Sequence, residues 1–351
     1  MQLVHEDFRL NGVAYNQEEL DEVGYSLIKE GLSYEMPIGD FILDWLSNSE
    51  TVMVQTSGST GTPKAITLSK SAMVNSAKAT AEQFQLSSKN TALLCLPMTG
   101  IAGKMMLVRA MVLGLHLDYV APDSNPLAAT QASYDFVAMV PLQAKNSLLE
   151  LERVNTLILG GAPVSYALEK DLSTLPLKAF ETYGMTETIT HIAFRSLNGQ
   201  TEKVFQTLPQ VTVSADARGC LVINAPRISS EHIVTNDLVE LVSENQFKWL
   251  GRIDSVINSG GVKIIPEKVE STLANHLTQR FFITGVPDPT LGQKVVLVVE
   301  GAALSDKQSE HLKSSFQKLE KFERPKDIVF VPKFWETGTG KVQRSQTLDL
   351  I

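Results

Sequence analysis

The chain lacks the features that would place it in several large classes. Its 351 residues include only two cysteines, Cys95 and Cys220, each in an apolar run (ALLCLPM and GCLVINA). Neither sits at metal-ligand spacing, so a disulfide framework and a cysteine-held metal are excluded. Two buried structural thiols in a reducing, cytoplasmic setting are expected instead. No stretch approaches roughly 18 uncharged apolar residues, which excludes a membrane span. The opening MQLVHEDFRLNG carries acidic residues where a secretory leader needs a basic and then an apolar stretch. Basic residues are outnumbered, 31 Lys+Arg against 39 Asp+Glu for a net charge of −8, so a chain-wide nucleic-acid footprint is absent. Fixed-period repeats and low-complexity tracts are missing too, which leaves a globular protein.

With 351 residues, 43% of them hydrophobic, the chain can fill a core without staples and has the length of two domains. Apolar, β-branched runs at 52–58, 92–98, 136–141 and 156–161 each end in a Gly/Pro break. Between them lie stretches with helical apolar spacing, such as Ser69–Phe84 and Ser165–Leu172. Strands buried on both faces that alternate with helices predict an α/β architecture around a mostly parallel sheet. From about Val211 the rhythm changes to short, closely spaced strand-like runs (VTVSA, CLVINA, IVTND, LVELV, FKWLG), the pattern of a small antiparallel meander. Past Gly251 a third texture predicts helix at Glu267–His276 and Asp306–Leu319, and strand at Phe281–Val286 and Val295–Glu300. The organisation expected is a large N-terminal domain over 1–251, with an antiparallel β subdomain at about 205–251, then a small α+β domain over 252–351.

The segment TSGSTGTPK at 56–64 follows a strand-like run and precedes a helix-like one. Gly58 and Gly61 open backbone conformations that let N–H groups converge on an anion. Thr56, Ser57, Ser59, Thr60 and Thr62 add hydroxyl donors, and Lys64 adds a mobile cation. Such a loop suits a polyphosphate. It is not a P-loop, which needs G-x-x-x-x-G-K-[ST], since Pro63 precedes the lysine and Ala65 follows it.

TSGSTGTPK resembles the signature loop of the acyl-adenylate-forming superfamily, which includes acyl-CoA synthetases and adenylation domains. Four further segments resemble that family's motifs in its order. By this resemblance Gly161, Ala162 and Pro163 in LILGGAPV would form one wall of an adenine slot. In ETYGMTET, which resembles Y-G-x-T-E, Tyr183 and Gly184 would meet the nucleotide, Tyr183 with its aromatic face. Thr186 would donate to the α-phosphate, and Glu187 would bind Mg²⁺ as a hard oxygen ligand. Asp237 in IVTNDLVEL and Arg252 in WLGRID resemble a T-G-D and G-R pair for ribose and phosphate, with Asn236 where a glycine is usual; Asp254 matches the hinge position. ETGTGKVQR at 336–344 resembles the C-terminal catalytic-lysine motif, with Lys341 delivered on a loop that contains Gly338 and Gly340.

The resemblance implies activation of a carboxylic acid by ATP. Carboxylate oxygen attacks the α-phosphorus and pyrophosphate leaves, held by Lys64, the loop amides and Mg²⁺ on Glu187. Lys341 would bridge the carboxylate and the α-phosphate. In a second step the loop Asn258–Val262, with Gly260 and Gly261, would line a tunnel for coenzyme A, whose thiol takes the acyl group. The phosphate loop begins at Thr56, earlier than is usual for the superfamily, and LPMTGIAG at 96–103 with YGMTET then ITHIAFR look most like the o-succinylbenzoate–CoA ligases of menaquinone biosynthesis. That group carries a histidine in L-P-L-F-H-x-x-G where this chain has Gly100. A buried second carboxylate needs a cationic partner, and Lys104, Arg109, His191 and Arg195 are the candidates. Two alternatives stand beside this reading: a ligase for another short-chain or aryl carboxylate, and a non-catalytic ATP/AMP-binding sensor. The partners expected are small molecules, namely the acid, ATP and coenzyme A.

Overall fold

The structure is a computed structural model that describes residues 2–55, 65–199, 203–277, 279–336 and 342–349. Two compact units account for its contacts. Met1–Val213, Ile223–Ile233 and Glu244–Gln246 form the first, and Ser214–Val222, Val234–Ser243 and Phe247–Ile351 the second. The strands at 214–222 and 234–243 therefore group with the C-terminal residues rather than with residues 1–213.

In the first unit the elements run β1 (Arg9–Leu10), β2 (Val13–Ala14), α1 (Gln17–Glu30), α2 (Met36–Leu46), β3 (Thr51–Gln55), β4 (Ala65–Ser69) and α3 (Lys70–Phe84). Then come β5 (Thr91–Leu94), α4 (Ile101–Leu113), β6 (His116–Tyr119), β7 (Tyr134–Met139) and α5 (Pro141–Asn146). Last are β8 (Val154–Leu159), α6 (Tyr166–Leu172), β9 (Lys178–Gly184), β10 (His191–Ser196) and β11 (Phe205–Thr207). Nine of these strands follow the order β11-β10-β9-β8-β7-β5-β6-β1-β2. The pairs from β9 through β8, β7, β5 and β6 to β1 are parallel, while β10 runs antiparallel to β9.

The period of two along these strands sorts their side chains between two cores. Ala92, Leu94, Phe136, Ala138 and Ile158 pack with Met73, Ala77, Met105 and Leu107 of α3 and α4. Leu93, Val137, Met139, Leu157 and Leu159 pack with Ala144, Leu168 and Leu172 of α5 and α6. Helices thus cover both faces of a parallel sheet, as the doubly apolar runs predict. Cys95 is buried in the second of these cores, and burial pushes its thiol up to about 12.

One run departs from the expectation. Residues 52–55 do not join the parallel sheet: β3 pairs antiparallel with β4 in a separate two-stranded sheet. Its burial alternates, with Val52 and Val54 inside and Met53 out, which is the mark of a half-buried strand.

Beyond β11, four strands follow one another as neighbours: β12 (Thr212–Ala215), β13 (Cys220–Asn224), β14 (Ile233–Ser243) and β15 (Gln246–Arg252). This is the meander expected, except that IVTND and LVELV form one eleven-residue strand. In the second unit β16 (Ile257–Ser259), β17 (Val262–Ile264), α7 (Pro266–Leu273), β18 (Phe281–Asp288), β19 (Gly292–Glu300), α8 (Asp306–Ser315), β20 (Asp327–Val331) and α9 (Arg344–Leu348) follow. Their sheet has the order β17-β16-β19-β18, with β20 added parallel to β19. The apolar faces of α7 and α8, through Val269, Leu273 and Leu312, pack on Ile283, Val295, Leu297 and Val299 of that sheet. Strand β20 was not foreseen from the sequence. Among the described residues no helix is long and apolar enough to cross a membrane.

Candidate functional site

The carboxyl ends of parallel strands gather the first set of expected residues, the position where open α/β sheets bind ligands. β8 and β9 are adjacent and parallel, with Leu159 opposite Glu181. Gly160–Pro163 follow the end of β8, while Tyr183 and Gly184 close β9 and Met185–Glu187 follow it. Gly161 has φ +81°, a left-handed conformation that favours glycine. A Cβ on Gly160 would meet Thr182 Oγ1 at 2.9 Å. The loop is fastened where Val164 N–H donates to Glu181 Oε1 at 2.9 Å. Tyr183 is half-buried and meets Phe205 edge-on, ring centroids 6.0 Å apart.

Gly184 is required for a reason other than a ligand. A Cβ there would collide with the Thr190 carbonyl oxygen and stand 2.5 Å from His191 Cα. The chain turns tightly at this point. Thr186–Thr188 form one short 3₁₀ turn, and the Thr188 hydroxyl accepts from Met185 N–H at 2.9 Å. Ile189 then takes φ 64°, ψ −65°, with Thr190 N–H donating back to the Thr188 carbonyl at 2.7 Å. A γ-turn of this hand is strained, most of all at a β-branched residue, and such strain concentrates at functional sites. Its effect is to leave Thr186 half-buried and Glu187 exposed. Among the described residues no cluster of three His, Cys, Asp or Glu could hold a metal unaided. A single exposed carboxylate suits Mg²⁺, which takes one or two protein oxygens and completes its shell with phosphate and water.

The four candidate cations for an acid separate cleanly. Arg195 is committed to structure: it reaches Glu181 at 2.5 Å and Glu169 at 2.8 Å, and so braces β9 and β10 against α6. Lys104 points to α2, its ammonium 4.7 Å from the centre of the Phe41 ring, where desolvation lowers its pKa against the pull of Asp44 and Asp40. Arg109 and His191 come together. Arg109, only 2% exposed, donates to Thr190 Oγ1 at 3.0 Å, to Thr80 Oγ1 at 3.3 Å and to the Met106 sulfur. Among the described residues no carboxylate forms a salt bridge with it, and desolvation pushes it down to about 10. His191 is buried, and its Nε2 has no hydrogen-bond partner among the described residues. Burial first, and the Arg109 charge second, hold its pKa well below the usual value, so it is a neutral imidazole. Phe84 packs against His191 at 6.0 Å and against Phe194 and Phe180, giving this pair an aromatic wall.

Gly100, at the position of the family histidine, starts α4 with open space around it: a Cβ would find only the Pro97 carbonyl oxygen, at 3.8 Å. Gly103 is the constrained glycine of LPMTGIAG, its Cβ position 2.5 Å from that same oxygen.

In the second unit Asp237 is buried and accepts from Trp249 Nε1 at 3.1 Å, with Arg252 at 3.8 Å. Arg252 also pairs with Asp254 at 2.9 Å. Asn236, in place of the family glycine, sends its amide to both Asp254 oxygens at 3.3 Å. Sequence reasoning had no signal for that link between ribose and hinge motifs. Gly260 and Gly261 have φ +60° and +83° and join β16 to β17 through the Ser259–Val262 pair, a two-residue hairpin turn. Thr56, Ser57, Gly58, Ser59, Thr60, Gly61, Lys64 and Lys341 lie outside the described residues. The chain leaves for the first segment at Gln55 and returns at Ala65, which are cross-strand partners.

Comparisons with known proteins bear on this arrangement. A family model described as AMP-binding enzyme matches residues 40–218. The chain is 26% identical over 330 residues to a 2-succinylbenzoate–CoA ligase of Escherichia coli, covering 89% of this chain and 72% of that one. Among solved structures, an acyl-CoA synthetase (AMP-forming)/AMP-acid ligase II-like protein from Dyadobacter fermentans is 37% identical, with TM-score 0.62, and covers 94% of this chain and 98% of its own. An o-succinylbenzoate coenzyme A synthetase from Bacillus subtilis, solved with ATP and magnesium, shares the fold at TM-score 0.73 and 18% identity, covering 95% of this chain and 82% of that one. With the family model matched across half of this chain, the chain belongs to the AMP-binding enzyme family.

Proposed function

We propose that the chain is an AMP-forming acid–CoA ligase that converts o-succinylbenzoate to its coenzyme A thioester. The similarity to 2-succinylbenzoate–CoA ligases supports the reaction class. The acid is carried by one observation, the buried Arg109 guanidinium that forms no salt bridge among the described residues, beside His191 Nε2, which has no hydrogen-bond partner among them, and the aromatic wall of Phe84. o-Succinylbenzoate has an aromatic ring and a second carboxylate, and a buried cation and a hydrogen-bonding imidazole match that pair of features.

The chemistry has two steps. In the first, the succinyl carboxylate oxygen bonds to the α-phosphorus of ATP, the bond to pyrophosphate breaks, and acyl-adenylate forms. Negative charge crowds the phosphorus, so catalysis here is positional and electrostatic. Thr186 donates to the α-phosphate, and Lys64 with the amides of residues 56–64 holds the departing pyrophosphate. Lys341 bridges the two reacting oxygens; removing such a cation costs on the order of 10²–10³-fold in rate. Glu187, the exposed carboxylate at this turn, would hold Mg²⁺, which would supply charge neutralisation for the polyphosphate. Tyr183 and Gly161–Pro163 hold adenine, and Asp237 with Arg252 holds the ribose. In the second step the thiol sulfur attacks the acyl carbon, AMP leaves, and the thiol proton passes to solvent. Residues 252–351 act as the moving domain about Asp254, and Gly260–Gly261 line the path of coenzyme A.

A panel of acids in an ATP–pyrophosphate exchange assay tests this. Exchange is expected with o-succinylbenzoate and far less with benzoate, which lacks the second carboxylate. Exchange only with other acids refutes the substrate, and exchange with none refutes the ligase.

A further inference from the structure

The turn that carries Thr186 and Glu187 is tied at its far end to the candidate cation for the acid. Ile189 is the central residue of a γ-turn, at φ 64°, ψ −65°. A β-branched side chain keeps that conformation only where its surroundings over-determine it. Here they do. The Ile189 side chain is 2% exposed and packs in the core shared with α3 and α4. The buried Thr188 hydroxyl accepts from Met185 N–H at 2.9 Å and donates to the Thr190 carbonyl at 2.6 Å, so it joins the two ends of the turn. Thr190 Oγ1 is held in turn from the helices, by Arg109 Nη2 of α4 at 3.0 Å and by Ser76 Oγ of α3 at 3.3 Å.

A guanidinium has five donors, enough for Arg109 to hold this turn and a carboxylate at once. Its Nε serves Thr80 at 3.3 Å and its Nη2 serves Thr190. Nη1 meets the Met106 sulfur at 3.7 Å, a weak acceptor that a carboxylate oxygen would displace. Such a carboxylate would neutralise the buried charge and fix the guanidinium where it grips Thr190. The strained turn is then steadier with the acid bound than without it, and so is the placement of Thr186 and Glu187.

We propose that Thr188 and Thr190 are positioning residues that couple the acid pocket to the nucleotide. An acid on Arg109 braces the turn, and Mg·ATP meets Thr186 and Glu187 already in place. This rests on the reading of Arg109 as the partner of the second carboxylate, and of Thr186 and Glu187 as nucleotide residues. A coupling of this kind is reciprocal, each ligand tightening the other by the same factor, typically about 5-fold or more.

Calorimetric titration of the full chain with Mg²⁺ and α,β-methylene-ATP, which cannot release pyrophosphate, measures that factor with and without saturating o-succinylbenzoate. The acid is expected to tighten the analogue by about 5-fold or more. Thr190→Val and Thr188→Val should bring the factor close to one, whereas Thr190→Ser and Thr188→Ser, which keep the hydroxyl, should retain it. Should the buried Thr188→Val fail to fold, the half-buried Thr190→Val decides alone. A merely structural threonine would lower stability, or both affinities equally, and leave the factor at its wild-type value; that result overturns the proposal. So does a wild-type chain in which the acid leaves analogue binding unchanged. Arg109→Met separates the two claims. If it binds o-succinylbenzoate as tightly as wild type, the reading of Arg109 falls and the coupling with it. If it loses the acid while Thr190→Val keeps the full factor, only the coupling falls.

Discussion

Replacing Arg109 with methionine should separate stability from function in opposite directions. Burial pushes this guanidinium from its usual 12.5 to about 10, which at ~1.4 kcal/mol per pH unit is about 3 kcal/mol carried against the charged form. Methionine fills similar space without that penalty. The substitution removes donors to Thr80 and Thr190, but both hydroxyls keep a neighbour, Thr80 the Ser76 carbonyl at 2.9 Å and Thr190 the Ser76 hydroxyl at 3.3 Å. Losing those hydrogen bonds costs about 1–3 kcal/mol in total. The folded protein should therefore be as stable as wild type, or more stable by about 1–2 kcal/mol. Catalysis should move the other way. A substrate carboxylate buried without its cation costs about 3–5 kcal/mol, or roughly 10²–10³-fold and beyond in kcat/KM for o-succinylbenzoate. Urea unfolding and pyrophosphate exchange on the same preparation measure both. A variant that loses several kcal/mol of stability yet keeps kcat/KM would show that Arg109 is a structural brace, and the argument for the acid would fail with it.

His191 gives a pH signature. Its folded pKa is depressed below 6.5, so below that pH the unfolded chain binds a proton that the folded chain refuses. Stability should fall as pH drops from 6.5, by up to about 2 kcal/mol at pH 5. His191→Leu should remove that part of the slope, and parallel unfolding curves for the two proteins at pH 7.5 and 5.0 that show equal losses would contradict the assignment. The two glycines of LPMTGIAG should respond differently. Gly103→Ala drives a methyl to 2.5 Å from a backbone oxygen and should cost about 1–3 kcal/mol, whereas Gly100→His has φ −97° and open space and should change stability by no more than about 0.5 kcal/mol. Thermal unfolding of the pair checks the contrast.

Local sequence determined a good deal of this protein. The runs ALLCLPM, FVAMVP and LILGG are apolar throughout, short and bounded by Gly or Pro, which suits a strand covered on both faces; β5, β7 and β8 are such strands. The glycines of LILGGAPV lie where a close approach and a left-handed backbone are needed, and Ser165 caps α6 as its sequence neighbours suggest. These properties depend on residues within one turn or one strand, so a short window carries them.

Tertiary structure decided the rest, because the deciding partners are remote in the chain. Arg109, Arg195 and Lys104 are chemically equivalent candidates in sequence. Their fates were set by Thr80 and Thr190, by Glu169 and Glu181, and by the Phe41 face of α2. The run at 52–55 reads as a sheet strand until β4 pairs with it and withdraws it to a sheet of its own. Gly184 reads as a nucleotide glycine, yet the Thr190 carbonyl is what forbids a side chain there. Which cation is buried with no counter-charge among the described residues is a property of packing, and packing is summed over the whole chain rather than written at any one position.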